Sequence, residues 1–584
     1  MLKEAIYHRP KNNWSYAYDR NTVHIRIRTK RGDVDRVELL HGDKYNWHVK
    51  GYDICEMKIF AQDALFDYWQ GQVRPAFRRL KYGFLLHGGE ERLWLNEQGL
   101  QDKEPIHSLY FEFPFLNPAD VFEPPAWVKD AVFYQIFPER FANGDPFNDP
   151  VGVLPWGGEP TPSNFFGGDL QGVIDHLDHL KRLGINAIYF NPLFQATTNH
   201  KYDTEDYLKV DSHFGTNEKL KELVDKCHEH GIKVLLDAVF NHSGRTFAPF
   251  VDVLEKGADS PYADWFHVRE FPLEVRDGIP TYDAFAFEPH MPKLNTENSE
   301  VQNYLLKVAR YWIEEIGVDG WRLDVANEVD HRFWRRFRDV VKAANPEAYI
   351  LGEIWHDSQP WLGGDQFDAV MNYPLTEAIL DYAVRGTRDA REFADLTGYL
   401  LAAYPQQATE AAFNLLGSHD TPRLLTLSKG DKRRVRLSSA IQFTMPGTPC
   451  IYYGDEFGMD GDHDPGCRKC MVWDPEQQDH EMFEFFAGLV TLRSSHRALR
   501  DGSFNVLSAE AGSHLLAYTR EADGERLVAV FNASKRKSSI SVAMPKDVKP
   551  ASVTTVFGEG EAELRVRKLH VSLPPLGYAI VRLV

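Results

Sequence analysis

Four short stretches of this 584-residue chain place ionisable side chains where a strand would otherwise carry apolar ones. They are Asp237-Ala-Val-Phe-Asn241-His242, Gly320-Trp-Arg322-Leu-Asp324-Val-Ala-Asn327-Glu328, Gly352-Glu353-Ile-Trp355-His356 and Ser418-His419-Asp420. A structural ion pair explains one such stretch; four of them ending alike point to a rim of acids with a chemical task. Arg322 and Asp324 are two residues apart and share one strand face. A guanidinium beside a carboxyl lowers its pKa and keeps it ionised, which makes Asp324 the expected nucleophile. Glu353, with Trp355 close by, is expected against an apolar wall that raises its pKa, as a general acid requires. Asp420 supplies a third carboxylate, able to stabilise positive charge on a sugar ring. A nucleophile paired with an acid/base is the double-displacement design for glycosidic bonds, with carboxyls about 5–5.5 Å apart.

These acids need a scaffold that brings strand ends together. Between residues 122 and 503 short apolar strands alternate with amphipathic helices. Leu183-Gly184-Ile185, His230-Gly231-Ile232 and Ile316-Gly317-Val318 each read as a helix end, a left-handed glycine cap and a buried strand. Strands are expected to start near Ala131, Ala187, Lys233, Gly320, Tyr349, Phe367, Ala412 and Pro449, and eight βα units suit a (β/α)8 barrel. The interval from Gly231 to Gly317 is nearly twice that from Gly184 to Gly231, so an inserted domain is expected after the third strand, at about 243–298. Residues 1–121 alternate in a β manner, as in TVHIRIRT and VDRVEL, and end at the proline-rich FEPPAW. Residues 504–584 are β again, with a hairpin expected around Asp523-Gly524. The expected class is thus α/β, a barrel between N-terminal and C-terminal β-sandwiches.

Composition narrows the function. Lys and Arg number 66 against 85 Asp and Glu, a net charge of −19, which argues against nucleic acid and anionic membranes as partners. No apolar run is long enough to span a bilayer, and MLKEAIYHRPKNNW has no signal-peptide core. With five cysteines in so long a chain there is no disulfide framework, and Cys467 and Cys470 lack the second pair that would complete a zinc site. A cytoplasmic enzyme on a neutral substrate is expected. Aromatic residues make up 13%, which fits either sugar stacking or a large core. Tyr202, Tyr282, Phe285, Phe287, Trp355 and Tyr373 fall near the rim, Trp355 being the foremost stacking candidate.

DAVFNH (237–242), GWRLDVANE (320–328), GEIW (352–355) and NLLGSHD (414–420) resemble the four signature regions of the α-amylase family of glycoside hydrolases. The resemblance implies an α-retaining mechanism with Asp324 as nucleophile, Glu353 as acid/base and Asp420 as transition-state stabiliser. His242, Arg322 and His419 match substrate-site positions. MPKLN (291–295), VANE ending at Glu328, and GDHDPGCRKCMVWD (461–474), with Asp464 and Arg468 at substrate positions, resemble the cyclomaltodextrinase, maltogenic amylase and neopullulanase subfamily. This implies hydrolysis of cyclodextrins, malto-oligosaccharides and pullulan, α-1,4 with some α-1,6, and transglycosylation as a side activity. A predominantly transglycosylating 4-α-glucanotransferase and a non-catalytic amylase-like binding subunit are the alternatives. The second conflicts with retention of all three acids.

Asn143, Asp145, Asn148 and Asp149 offer four oxygen side chains in seven residues, which suits either a hard cation or a polar turn. The resemblance implies a structural Ca2+ here, completed by the Gly167 carbonyl and Asp169. It also implies a homodimer in which the N-terminal domain covers the partner's site. Tyr45 and Trp47, close together in GDKYNWHVK, are expected to be exposed and to form that lid, with Tyr45 reaching substrate.

Overall fold

The computed structural model describes residues 1–106, 109–544 and 552–584. At its centre is a parallel sheet of eight strands: β1 (Phe133–Ile136), β2 (Ala187–Phe190), β3 (Lys233–Ala238), β4 (Gly320–Leu323), β5 (Tyr349–Gly352), β6 (Ala369–Val370), β7 (Phe413–Asn414) and β8 (Thr448–Tyr452). Phe133 of β1 lies opposite both Ala187 of β2 and Cys450 of β8. A parallel bridge from Met371 to Phe413 joins the end of β6 to β7 and closes the sheet into a barrel. β2 to β5 begin where the sequence places them; β1, β6 and β7 start one or two residues later and β8 one earlier.

Side chains alternate across each strand, so the interior is filled by every second residue. Phe133, Ala187, Tyr189, Leu235, Tyr349, Leu351, Ala369 and Phe413 form the buried inner core. One step further along each strand the same faces carry Asp237, Arg322 then Asp324, and Glu353. The apolar plug therefore ends where the acids begin. Packing at that level is close: a Cβ on Gly320 would lie 2.2 Å from the Tyr349 carbonyl oxygen, so β4 must start with glycine. Outside, Gly184, Gly231 and Gly317 take positive φ (+87°, +70°, +88°) after their helices, as the sequence pattern requires.

After β3 the chain leaves the barrel for an insertion holding the helix Ala248–Lys256 and the short pair Val275–Arg276 and Ile279–Pro280. It returns through a bridge from Lys293 to His242, so MPKLN lies against the end of β3. A second excursion, not foreseen from sequence, follows β2: Phe194–Ala196 pairs with Thr204–Val210 as a hairpin.

The N-terminal residues form two packed antiparallel sheets, with Val23, Ile25, Val37, Leu39, Trp69 and Phe84 between them. This unit docks on the barrel helix Ala390–Ala403 and the turn after it, through Asn13 to the Ala402 carbonyl (2.9 Å), Arg26 to the Tyr404 carbonyl (2.7 Å) and an Arg31–Asp395 ion pair (2.6 Å). The C-terminal sheets of five and three strands include the hairpin Leu515–Ala522 with Glu525–Asn532. Asp523 and Gly524 turn it with φ of 49° and 82°, the mirror-image geometry that matches strand twist.

Candidate active site

Arg322, fully buried, is the hub of the rim. Its Nη1 donates to Asp237 (3.0 Å) and to Asp324 (2.7 Å), and its Nη2 stands 2.8 Å from Glu353 Oε1, an ion pair at a poor hydrogen-bond angle. One cation thus serves three carboxylates from β3, β4 and β5. Asp237 also accepts from the Tyr189 hydroxyl (2.7 Å) and the Tyr202 hydroxyl (2.9 Å). The expectation that Arg322 holds the Asp324 pKa low is not met. Burial, with Glu353 and Asp237 beside it, pushes that carboxyl well above its ordinary range against the pull of Arg322. Burial likewise raises Asp237.

Glu353 does not face the plain apolar wall expected for it. Its Oε1 accepts from Trp355 Nε1 (3.3 Å) and its Oε2 from the main-chain N–H of Val325 (3.0 Å). Asp420 lies opposite, 3.4 Å from Arg468 Nη2 and 3.2 Å from His419 Nε2. Burial, then the charge of Glu353, raises its carboxyl to about 6. The segment before it is clamped, because the His419 carbonyl accepts from Arg468 Nε (2.8 Å) and from the Cys467 thiol (3.1 Å). Cys467 and Cys470 are free and buried, so CRKC packs the rim.

These groups open into a cavity of about 480 Å³. Of the residues expected at substrate, Tyr202, His242, His419, Glu328, Trp355, Asp464 and Arg468 line it, with Arg322 beneath. Trp355 stacks one face on the buried Tyr373 ring (3.5 Å, 9°) and is half-exposed, a ready platform for an apolar sugar face. Phe285 lies against His242 (5.3 Å), whereas Tyr282 is buried and Phe287 points to solvent. Burial keeps His242 down to about 3 and His419 well below its usual range, so both rings are neutral. His419 Nδ1 faces Gln135 Nε2 (3.0 Å) and Nε2 faces the Tyr202 hydroxyl (2.7 Å), which places the ring proton on Nε2. His242 Nε2 is buried without a partner beside the cavity, free for a hydroxyl. Asp464 holds Arg468 at 3.0 Å.

Sequence reading gave no role to His200, Asn327, Met291 or Lys293, which also belong here. His200 rides in the turn of the hairpin after β2, beside Tyr202; the polar run TNHKYD was its only signal. Lys293 reaches the Glu328 carbonyl (2.9 Å) and the Asn241 side chain, linking the insertion to the rim.

The catalytic-domain model of α-amylase matches residues 135–502, the N-terminal ig-like domain model of α-amylase residues 1–117, and the maltogenic amylase C-terminal domain model residues 504–580. The chain belongs to the α-amylase family. It is a glycoside hydrolase. A cyclomaltodextrinase from a Bacillus species is 62% identical over 538 residues, 92% of this chain and 96% of that one. An intracellular maltogenic amylase from Bacillus subtilis is 46% identical over 551 residues, 93% of each chain. A solved cyclomaltodextrinase structure superposes with a TM-score of 0.95 at 56% identity over the whole of both chains.

Two features of this α-amylase-family chain lie away from the acids. Tyr45 is 63% exposed, flanked by the Arg79 guanidinium at 4.8 Å, and does not line the cavity of its own chain. Trp47, expected beside it on the surface, is instead buried against Tyr110 (4.7 Å) and Tyr52 (5.4 Å). The short helix Trp47–Lys50 turns the indole inward, which the turn-like sequence did not reveal.

The second is the Asn143–Asp149 loop. Asn148 Oδ1 is buried there with no donor. A Cβ on Gly167 would lie 2.2 Å from Asp149 Oδ1 and 2.5 Å from Asn143 Nδ2, so bare main chain presses on those groups. Asp169 is committed differently from expectation: it accepts from the N–H groups of Gly144, Asp145 and Gly172 and from the Asn148 amide, and caps the helix Leu170–Asp175. Asp145 accepts from Phe147 N–H (3.1 Å). Among the described residues no three His, Cys, Asp or Glu side chains are disposed around a metal. A cation here would rest on the Asn143 and Asn148 amide oxygens, the Gly167 carbonyl, Asp145 and Asp149, a donor set that fits a hard ion.

Proposed function

We propose that the enzyme hydrolyses cyclodextrins, malto-oligosaccharides and pullulan with retention, cleaving α-1,4 and some α-1,6 bonds and transferring glycosyl groups as a side activity. The observation that carries this is one guanidinium holding Asp324 and Glu353 side by side at the mouth of the barrel, with Asp420 opposite. Asp324 attacks the anomeric carbon while Glu353 gives its proton to the leaving glycosidic oxygen, and the C–O bond breaks to a glycosyl ester on Asp324. Glu353, now a carboxylate, takes a proton from water, whose oxygen attacks the same carbon and frees Asp324. A sugar hydroxyl in place of water gives transfer. Asp420 binds ring hydroxyls and stabilises the positive charge that develops on the sugar in the transition state of each step. Glu328 and Trp355, just beyond the acids on β4 and β5, border the acceptor's path.

The substrate assignment is supported by the names of the relatives and by a concave, aromatic-walled cavity able to take a compact ring. We assign a structural Ca2+ to Asn143, Asp145, Asn148, Asp149 and the Gly167 carbonyl, with Asp169 fixing the loop; no catalytic step needs it. A cytoplasmic location is supported by free thiols throughout the chain and by the intracellular relative. A homodimer closed by the N-terminal domain is supported by exposed apolar side chains on both domains, Tyr45, Val49 and Phe77 on the N-terminal one and Phe147 and Val151 on the barrel. Tyr45 would then reach the partner's cavity. Rates on β-cyclodextrin, pullulan and soluble starch at equal glucose content, measured beside sedimentation, test the proposal. A dimer with β-cyclodextrin fastest is expected. A monomer that prefers starch would overturn it.

A further inference from the structure

The residue after the expected nucleophile has a backbone that its side chain disfavours. Val325 adopts φ 44° and ψ 43°, the left-handed region, where a β-branched residue is an outlier sustained only by its surroundings. Along β4 the ladder donors alternate: Asp324 N–H goes to the Ala238 carbonyl of β3 (3.0 Å), so the Val325 N–H faces β5. There Glu353 N–H already uses the Leu323 carbonyl (2.9 Å). The left-handed turn takes the chain out of the sheet at once, into the turn Ala326–Glu328, and leaves the Val325 N–H for Glu353 Oε2 at 3.0 Å. The turn is pinned from behind, with the Val325 carbonyl accepting from Glu328 N–H (3.1 Å) and the Ala326 carbonyl from Trp334 Nε1 (2.8 Å).

We propose that Val325 is a positioning residue for Glu353: its strained backbone aims one neutral N–H at the carboxyl and fixes its orientation beside Asp324. The other groups facing Glu353 are charged or ring-borne, namely Arg322, Asp324, Asp420, Trp355 and Tyr373. Among these the Val325 N–H is the only main-chain donor and carries no net charge. Valine, where glycine would be unstrained, stiffens the turn. This rests on Glu353 being the proton donor, and the two ideas fail differently. If Glu353 is not the proton donor, Glu353→Gln does not show the donor's signature, a large loss on maltotriose with the rate largely spared on α-glucosyl fluoride, whose leaving group needs no proton. If only Val325 is misread, Glu353→Gln shows that signature and the test below reads null.

The test replaces Val325 in the full-length enzyme by the α-hydroxy acid of valine, turning one amide into an ester and deleting one N–H. A donor to the carboxylate favours the ionised form. Its loss should move the alkaline limb of the kcat/KM profile up by about one pH unit and lower kcat about 10-fold with KM on a nitrophenyl maltoside little changed. A folded ester variant with an unmoved profile overturns the proposal. If the ester variant does not fold, Val325→Gly is compared with Val325→Ala, which loses the same methyl groups but stays strained. Val325→Gly should then melt higher than Val325→Ala and turn over more slowly. A glycine variant that melts lower than the alanine variant and turns over equally fast would make Val325 merely structural.

Discussion

The two ends of the barrel use the same residue types with opposite balance. At the end where strands begin, Asp319, just before β4, accepts from His228 (2.7 Å), Lys233 (2.9 Å) and the Val234 N–H (2.9 Å). Asp368, before β6, meets Arg338 (3.0 Å), Lys342 (2.8 Å) and the Ile350 N–H (2.9 Å). Each carboxylate there has two basic partners and a main-chain donor. Burial pushes the Asp319 carboxyl up, but these partners outweigh it and hold it below its ordinary value. At the end where strands finish, one arginine is divided among three acids, and burial outweighs it at Asp237 and Asp324. Stability and reactivity in this fold therefore separate by how many cations each carboxylate can claim, in keeping with the two faces of such barrels.

The largest effect expected is on the crowded end. Asp324→Asn, Glu353→Gln and Asp420→Asn should each lower kcat by at least about 10²–10⁴ while the far-ultraviolet spectrum stays native. Neutralising Asp420 should also stabilise. Its carboxyl is raised to about 6, so the folded protein holds a proton that the unfolded chain releases, and stability falls as pH rises from the ordinary Asp range to that value. Asp420→Asn should melt above wild type at pH 7 and level with it at pH 4. A variant with near-normal turnover would remove that acid from the mechanism.

The balanced end should respond the other way. Asp319→Asn should cost about 1–3 kcal/mol at pH 7 with turnover nearly intact, because it leaves His228 and Lys233 without their shared acceptor. A lowered carboxyl contributes stability that is present above the unfolded pKa and lost as pH falls through the folded one. The melting difference from wild type should close in strong acid, and a large loss of kcat would erase the contrast between the ends.

Next in size is the loop after β1. Exhaustive chelation should lower the melting temperature by the equivalent of about 3–4 kcal/mol if Ca2+ is present at 100–1,000 times its Kd. Asp149→Ala should abolish the response, and rates at low temperature should hold. No metal by elemental analysis and an unchanged melt would remove the ion. The smallest effect belongs to Trp355→Ala, which should lower transfer to maltotriose several-fold more than hydrolysis, since a stacking face orients a sugar but not water. Product ratios by chromatography decide it.

Much of this was legible from spacing. Period-two alternation put Arg322 and Asp324 on one face, and β2 to β5 begin where the pattern says, because each opens after a polar turn or a glycine cap. The electrostatics were not legible. Sequence shows Arg322 beside Asp324 but cannot show Asp237 and Glu353 arriving from neighbouring strands to share it. Nor could it show that the Val325 main chain, with no distinguishing side chain, supplies a donor to Glu353. His200 was missed because its hairpin follows β2, away from the four acid-bearing stretches. Trp47 was misread because a four-residue helix is too short to announce which ring turns inward.

The most direct measurement is a covalent trap. A 5-fluoro-α-glucosyl fluoride supports formation of the glycosyl ester but slows its breakdown, and peptide mapping by mass spectrometry locates the label. Asp324 should carry it stoichiometrically, with Asp324→Asn unlabelled. A label on Glu353 or Asp420 would contradict the assignment of the nucleophile and, with it, the reading of the crowded end of the barrel.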